Sequence, residues 1–423
     1  MKKIGIFNLL IELKRTFIEG LTPNMMKNHD GKCFTRKRGL TLATMMMILL
    51  RCSPFALQIR LDDFFKGIGQ KEATVSKQAF SKARTNLDPN LVKMSFQQTV
   101  EVLSSAEDLE LFKGKFRLCA IDGSDVILPN SAEILEHFGG CGRNKDCATA
   151  LASVCYDTMN NIILDANLSP YGTGERAAAR LHFDEVGKLP LPKKAKNLYI
   201  FDRGYPSKEL FAEMIDKNLH FLMRVKKKFS CDFDLVTKKE KITFLHNGKE
   251  YKVRVFNITL DSGEKEILVT TLPKKYVRRS EIGDLYFQRW AIEEKFKSLK
   301  SKLQLENFSG MRSITIYQDF WAKLDLANTT AALQWATDEV IEDNANPENK
   351  HSQTTNEGRL VHEFSEAYLE LMTVEDDDER LALFDELVAD ISRRPEQVRT
   401  GRKSSRKTPR KKRFNNANKP YLT

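Results

Sequence analysis

The sequence of 423 residues contains few of the residue patterns that build zinc or redox centres. Its 7 cysteines are scattered without a C-x-x-C pair, and its 7 histidines show neither H-E-x-x-H nor H-x-x-x-H spacing. Structural and catalytic zinc sites depend on such spacings, so the sequence does not support a zinc centre. Unpaired, irregularly spaced cysteines also fit a reducing compartment, which predicts a cytoplasmic protein.

Long hydrophobic runs are also missing. The longest apolar run, from Leu40 to Leu50, has 11 residues, whereas a membrane-spanning helix needs about 20. The N-terminus has the basic start of a signal peptide, but Glu12, Lys14 and Arg15 interrupt its apolar stretch and no A-x-A cleavage site follows. We therefore expect no membrane segment and no cleaved leader, and we find no internal repeat.

The positive charge is concentrated near the C-terminus. Of the formal net charge of +11, nearly all comes from the segment Arg393–Arg413, which holds 11 Lys or Arg residues against one acid, Glu396. An excess of this sign favours a polyanionic partner, nucleic acid first. The rest of the chain is close to neutral and would bind DNA through local patches.

The basic segment lacks apolar periodicity and contains Pro, Gly and Ser, which predicts disorder for residues 393–423. Its Arg410, Lys411 and Lys412 are candidates for phosphate contacts, and such contacts make binding depend strongly on salt. The alternative is a tail that only improves solubility. The acidic cluster 375–379 (EDDDE) indicates a solvated helix start or loop, with masking of the basic tail as an alternative.

One predicted helix, from Glu281 to about Leu303, is the most informative segment. Tyr286, Arg289, Glu293 and Lys300 are spaced by three, four and seven residues and fall within a stripe about 60° wide. The adjacent face is apolar: Leu285, Ile292, Phe296, Leu299 and Leu303. The stripe places the carboxylate of Glu293 between two cationic side chains and near a phenol. Such an arrangement suits a carboxylate that binds a metal ion next to a polyanionic ligand. The same spacings also occur as ordinary ion pairs on solvated helices.

Two short apolar runs, each rich in strand-forming residues, end in aspartate. FRLCAID ends at Asp122 before Gly123, and NLYIFD ends at Asp202 before an Arg-Gly pair. We predict two strands that stop at these acids and turn through the glycines. A single aspartate at a strand end is commonly only a turn former, but here a hairpin with a turn at 158–161 and a helix opened by Glu175 and Arg176 lie between the two.

Three carboxylates on separate elements are the ligands that a two-metal site for phosphoryl transfer requires. Hard oxygen ligands select Mg²⁺ or Mn²⁺, and two ions about 4 Å apart activate the attacking oxygen and stabilise the leaving one. The candidates for both catalysis and metal binding are Asp122, Asp202 and Glu293.

With these motifs the sequence resembles the DDE transposases of bacterial insertion sequences, in the subgroup with a Tyr-x2-Arg-x3-Glu-x6-Lys signature. Tyr286, Arg289, Glu293 and Lys300 match that signature at every step, and AIDGSD and FDRGY resemble the family's two aspartate motifs. The stretches SPFALQIRLDDFF (53–65) and SKQAFSKAR (76–84) are similar to its N-terminal region. The resemblance covers roughly residues 40–310.

The resemblance implies an α/β fold with a ribonuclease-H-like catalytic core, preceded by an all-helical N-terminal domain. We expect a DNA-end recognition domain over 1–112, a catalytic domain over 113–312 and a helical region over 313–392, the last with one or two long helices between 314 and 341. A β-rich insertion at about 216–275 would contain strands at 220–225, 241–260 and 265–272.

Within the N-terminal region, Thr74 or Ser76 is a candidate cap for a helix that carries Lys77, Ser81 and Arg84 on one face. Its other face offers small apolar residues for packing: Val75, Ala79 and Ala83. This pattern fits a DNA-recognition helix in a major groove. It fits an ordinary helix of a bundle equally well.

The resemblance also implies the reaction and the partners. The reaction would be metal-dependent cleavage at the ends of the element, followed by strand transfer into target DNA, by cut-and-paste. It would use two Mg²⁺ or Mn²⁺ ions, with Asp122 bridging them. Arg289 and Lys300 would clamp phosphates, Tyr286 would contact a phosphate or stack on a distorted end, and Trp290 would stack on a base or pack in the core. A homodimer around two DNA ends in the bacterial nucleoid is expected. Two alternatives stay open: a structure-specific nuclease of the same fold, and a non-enzymatic DNA-binding regulator derived from a transposase.

Overall fold

The computed structural model describes residues 3–26, 33–34, 39–52, 55–70, 75–226, 229, 233, 240–259, 265–348 and 350–398. The chain has a mixed α/β fold and divides into two compact units: Met1–Asp108 with Val126–Ala150 and Ser298–Thr423, and Leu109–Asp125 with Leu151–Lys297. We call these the helical unit and the sheet unit. The predicted disorder of residues 393–423 is wrong at its start, because Glu396–Gln397 forms a strand paired with Gln353–Thr354. Arg410, Lys411 and Lys412 lie outside the described residues, so disorder and phosphate contacts there stay predictions.

The elements follow one another along the chain as α1 (Lys3–Glu19), α2 (Leu42–Arg51), α3 (Leu57–Gly67), α4 (Lys77–Arg84), α5 (Pro89–Ser104), β1 (Phe116–Ile127), α6 (Ala132–Phe138), β2 (Gly140–Cys141), β3 (Cys147–Asp157), β4 (Ile162–Pro170), α7 (Glu175–Lys188), β5 (Lys196–Phe201), α8 (Lys208–Asp216), β6 (His220–Val225), β7 (Lys241–His246), β8 (Lys249–Thr259), β9 (Lys265–Thr270), α9 (Ile282–Phe287), α10 (Trp290–Ser301), α11 (Ser313–Asp343), β10 (Gln353–Thr354), α12 (Glu357–Thr373), α13 (Asp377–Ser392) and β11 (Glu396–Gln397).

The helical unit is built around α11, a single helix of 31 residues that is buried along most of its length. Helices α1, α2, α5, α12 and α13 pack against it. Lys14 of α1 is 3 % exposed and donates to both carboxylate oxygens of Asp325 in α11, each at 2.6 Å. The N-terminal and C-terminal helices, predicted as separate regions, therefore share one core. No helix in the described part of the chain is long and apolar enough to cross a bilayer.

The acidic cluster starts the last helix of this unit. Asp376 caps α13 by accepting a hydrogen bond from the backbone N–H of Glu379 at 2.8 Å, and Asp377 to Glu379 form the first turn. Carboxylates are favourable there because a helix N-terminus carries partial positive charge. This confirms the prediction of a helix start.

The sheet unit is organised around a sheet in which β3, β1, β5, β6, β9, β8 and β7 are neighbours in that order, with β4 paired to β3. β1, β5 and β6 run parallel, whereas β9, β8 and β7 add on antiparallel. The predicted hairpin at 158–161 and the predicted strands in 220–272 are confirmed, with the β7–β8 turn at Asn247–Gly248. These strands continue the main sheet.

The sheet unit has a core on one face of its sheet. Because side chains alternate along a strand, Phe116 and Leu118 of β1 point to the same side as Leu198 and Ile200 of β5. Helix α9 covers that side, and its Leu285 is part of the core. Residues 122 and 202 continue the same alternation, which directs their side chains toward the face that α9 covers.

Strand β1 does not end at Asp122, so the predicted turn through Gly123 is wrong. The strand continues to Ile127. β5 ends at Phe201, opposite Ile121, but β1 has a second neighbour, β3, with 11 residues. Pairing on that side keeps the chain extended past the aspartate.

The predicted continuous helix from Glu281 to Leu303 is also wrong, because α9 ends at Phe287 and α10 begins at Trp290. The intervening backbone makes tighter bonds: the N–H of Arg289 reaches the carbonyl of Tyr286 at 3.0 Å, and that of Ala291 reaches Gln288 at 3.2 Å. Bonds that span three residues tighten the helix locally. The predicted apolar face is nevertheless buried at Leu285, Ile292, Phe296, Leu299 and Leu303.

Candidate active site

The two aspartates lie next to each other because of the register between β1 and β5. Ile121 pairs with Phe201 in a parallel arrangement, so Asp122 and Asp202 follow paired positions at the same end of the sheet. Neighbouring strands are about 4.8 Å apart, which brings the two carboxylates onto one small surface. Asp122 is fixed locally by a hydrogen bond from the N–H of Gly123 to its Oδ1 at 2.9 Å.

Glu293 and Tyr286 join these aspartates from the helical segment that covers the sheet. The Tyr286 hydroxyl donates to Oδ1 of Asp202 at 3.3 Å. Arg289, at the break between α9 and α10, donates through Nη2 to Oε1 of Glu293 at 2.8 Å, and its guanidinium carbon lies 5.8 Å from the centroid of the Tyr286 ring. Within the sheet unit, Arg289 therefore lies against both Tyr286 and Glu293 of the predicted stripe, and Tyr286 contacts Asp202.

The charges of the two neighbouring acids act on Asp122. Burial raises the pKa of Asp122 to about 6, and the negative charges of Glu293 and Asp202 add to the rise. The Gly123 hydrogen bond and the positive charge of Arg289 oppose it. Carboxylates that repel one another in a partly desolvated place are stabilised by a cation.

The donor set fits a hard divalent cation, since carboxylate oxygens are the ligands that Mg²⁺ and Mn²⁺ select. Among the residues that the structure describes, no three His, Cys, Asp or Glu side chains are close enough together to enclose an ion as they stand. Two polar groups beside the acids are buried without a hydrogen-bond partner, the hydroxyl of Tyr205 and Nε of Arg289. Buried donors of this kind call for an acceptor, so the site is polar and incompletely satisfied.

The region that contains these acids matches a known protein family. The family model described as "Transposase DDE domain" matches residues 113–327, more than half of the 423 residues. The chain belongs to the transposase DDE domain family. No curated protein matches the sequence. Among solved structures, the chain is similar to the piggyBac transposase in a cryo-EM structure of its synaptic complex with hairpin DNA, with a TM-score of 0.45 and 7 % identity over 96 % of this chain and 87 % of that chain.

The matched residues 113–327 contain all three candidate acids, Asp122, Asp202 and Glu293. Lys300, the last signature residue, is assigned to the helical unit. Its Nζ lies 3.4 Å from Oε1 of Glu306, and its side chain is 26 % exposed. Trp290 is 38 % exposed, which disfavours the core-packing interpretation.

The predicted recognition face on α4 is not formed as expected. Ser76 does cap the helix, accepting a hydrogen bond from the N–H of Ala79 at 3.2 Å, and Lys77 is exposed. Arg84, however, is 1 % exposed, and its Nη2 lies 2.6 Å from Oδ1 of Asp319. The face that packs contains Phe80 and Arg84, one helical turn apart, so Arg84 is not available to DNA.

Two residues beside the candidate acids were not predicted from the sequence. Glu175, the first residue of α7, and Tyr205, three residues after Asp202, both lie against the two aspartate segments. The available signal was weak: a carboxylate that opens a helix is expected for its effect on the helix terminus alone, and a tyrosine after a glycine has no distinctive spacing.

Proposed function

We propose that this protein is a transposase that binds the ends of its insertion sequence and catalyses metal-dependent DNA strand cleavage and strand transfer. The observation that carries the proposal is the proximity of Asp122, Asp202 and Glu293. The two aspartates follow paired strand positions, and the negative charges of Asp202 and Glu293 contribute to the raised pKa of Asp122. A protein that only binds DNA has no need for three acids whose mutual repulsion costs stability.

Asp122, Asp202 and Glu293 are the residues that would hold two divalent cations, Mg²⁺ or Mn²⁺. Cations bound there supply Lewis acidity and charge neutralisation to an in-line displacement at phosphorus. Tyr286 orients Asp202 through its hydroxyl group, and Gly123 orients Asp122 through its N–H.

Arg289 is suited to bind the DNA phosphate next to the reacting bond. Its Nη2 is occupied by Glu293, while Nε is buried without a partner. A guanidinium presents several donors in a fixed plane, so the group that is anchored on Glu293 still has donors for a phosphate oxygen. Lys300 would add a point charge beside the duplex, with Tyr286 contacting a phosphate or a distorted end.

The sequence motifs support a more specific proposal for the type of transposase and its pathway. The Tyr-Arg-Glu-Lys spacing supports a bacterial insertion-sequence transposase with a ribonuclease-H-like core, acting by cut-and-paste as a homodimer around two DNA ends in the nucleoid. Exposed Lys77 and the basic residues Arg410, Lys411 and Lys412 are the proposed DNA contacts outside the catalytic centre.

The test is cleavage of a labelled duplex that carries the element's own end, in Mg²⁺ or Mn²⁺. Wild-type protein should nick the terminal phosphodiester and join the freed 3′ end to a second duplex, and Asp122→Asn and Glu293→Gln should abolish both. Glu294→Gln is the matched control, because Glu294 is the next residue on the same helix and its carboxylate pairs with exposed Lys297 instead.

The other outcomes select the alternatives. Nicking without joining would identify a nuclease of the same fold. Tight binding of the end without cleavage in either metal would leave a DNA-binding regulator.

A further inference from the structure

A fourth carboxylate lies beside the two aspartates. An ideal Cβ atom built on Gly204 would lie 3.1 Å from Oε2 of Glu175, and one built on Gly123 would lie 3.7 Å from Cγ of Glu175. Gly123 directly follows Asp122, and Gly204 is two residues after Asp202. The Glu175 side chain therefore lies beside both aspartate segments, and a side chain at position 204 would crowd its carboxylate.

The position of Glu175 is fixed by the start of α7. Arg176 donates through Nη2 to the carbonyl oxygens of Pro206 at 3.1 Å and Gly204 at 3.4 Å. These bonds attach the first turn of α7 to the loop that follows Asp202. Because the helix is held there, the carboxylate is directed to the site by the fold.

Tyr205 gives an independent indication that something polar belongs between these groups. Its side chain is 1 % exposed, and its hydroxyl lies 3.8 Å from the same Cβ position on Gly123 and has no hydrogen-bond partner. Burial raises the pKa of this hydroxyl well above its usual range, and the charges of Asp122, Glu175 and Asp202 raise it further, in that order. A neutral donor beside three carboxylates is suited to hydrogen-bond a water molecule or carboxylate that is reorganised when a cation enters.

We infer that Glu175 is a fourth carboxylate of the metal site and that it binds a divalent cation together with Asp122. The inference rests on the proposed function and adds one residue to the set that the DDE motifs supply. The Glu175 carboxylate would reach the cation from α7, whereas that of Glu293 would reach it from α10. The competing explanation is that Glu175 only stabilises the N-terminus of α7 by its charge.

The experiment measures Mn²⁺ binding to the full-length protein without DNA, with free Mn²⁺ followed by electron paramagnetic resonance. Glu175→Gln should raise the dissociation constant of at least one Mn²⁺ ion by about 10–100-fold. Glu185→Gln is the control, since it removes the same charge from the same helix at a residue that pairs with Lys188. Its Mn²⁺ binding should equal that of the wild type.

Glu175→Asp separates the two explanations, because aspartate is equally favourable at a helix N-terminus but has a shorter reach. Weakened Mn²⁺ binding in Glu175→Asp, with an unchanged thermal melt in EDTA, supports the metal role. Gly204→Ala provides a variant in which the Glu175 charge is intact and its carboxylate is displaced. Gly204→Ala should weaken Mn²⁺ binding in the wild-type chain. It should not weaken Mn²⁺ binding further in a chain that already carries Glu175→Gln.

The outcomes distinguish this inference from the proposed function. If Asp122→Asn and Glu293→Gln lose Mn²⁺ whereas Glu175→Gln and Glu175→Asp bind it as the wild type does, the inference is overturned and the proposed function stands. If Asp122→Asn and Glu293→Gln also bind Mn²⁺ normally, both are overturned.

Discussion

The hydroxyl of Tyr286 donates a hydrogen bond to Oδ1 of Asp202, 84 residues earlier in the chain. The bond connects the first residue of the predicted stripe Tyr286–Arg289–Glu293–Lys300 to the second candidate aspartate. Tyr286 is 7 % exposed and belongs to the core of the sheet unit, so its ring packs against apolar residues while its hydroxyl group fixes a candidate metal ligand.

We predict that Tyr286→Phe preserves the fold and weakens Mn²⁺ binding by about tenfold, because Asp202 loses the donor that orients it. The free energy of unfolding should fall by no more than about 1.5 kcal/mol. Tyr251→Phe is the control, since it removes a Tyr–Asp hydrogen bond of 2.9 Å to Asp216 elsewhere in the same unit. Equal Mn²⁺ affinity in Tyr286→Phe and Tyr251→Phe would contradict the orienting role.

Arg289→Lys should retain the positive charge but lose the planar array of donors that contacts Glu293 and a phosphate. We expect DNA cleavage to decrease by at least about tenfold, with a thermal melt close to that of the wild type. The control is Arg359→Lys, which changes another i,i+4 arginine–glutamate pair, with Glu363 at 3.4 Å. A similar small effect of both substitutions on cleavage would mean that Arg289 serves only as a structural ion pair.

The raised pKa of Asp122 predicts a pH dependence of stability in EDTA. Its pKa is about 6 in the folded protein and about 3.9 in an unfolded chain. Between these values the folded state binds more protons at this residue, so its contribution to the free energy of unfolding falls as pH rises and the full penalty is present above pH 6.

Asp122→Asn removes that ionisation and should therefore be more stable than the wild type at pH 8, by about 3 kcal/mol. The difference should shrink toward zero near pH 4. Urea denaturation at both values measures it, with Asp184→Asn as an exposed aspartate control. A constant difference between pH 4 and pH 8 would exclude ionisation of Asp122 as its cause.

Arg84→Ala should destabilise the protein by about 3–5 kcal/mol, because Asp319 would remain buried without its partner. Lys77→Ala, on the exposed side of the same helix, should change the free energy of unfolding by less than about 0.5 kcal/mol. Lys77→Ala should, however, weaken binding to DNA ends, because Lys77 is exposed and is a proposed DNA contact. Denaturant titration of both variants, followed by end binding of Lys77→Ala, checks the assignment.

Local patterns were sufficient to predict much of the structure around the candidate site. Strand-forming runs before Asp122 and Asp202, the turn at Asn247–Gly248 and the apolar face around Leu285 and Ile292 all depend on neighbouring residues, and the structure contains them. Tyr286, Arg289 and Glu293 also lie close together, as their spacing predicted, although they are on two separate helices. The tightened turn between the helices keeps Arg289 in contact with the other two side chains.

Long-range contacts explain what the sequence did not predict. The extension of β1 past Asp122 depends on pairing with β3, and the burial of Arg84 depends on Asp319, 235 residues away. The position of Glu175 could not be predicted either. Its carboxylate lies beside Gly204 only because Arg176 attaches α7 to the loop that follows β5. Periodicity along one element contains no information about such partners.

The 311-residue separation between Lys14 and Asp325 has a consequence for biosynthesis. During translation the N-terminal helices leave the ribosome long before α11, which supplies the carboxylate for Lys14 and much of the apolar surface that covers α1 and α5. A chain that stops before residue 313 keeps these surfaces exposed to solvent, chaperones and proteases. Truncated copies of the gene are therefore expected to yield polypeptides that are degraded, even where Asp122, Asp202 and Glu293 are all encoded.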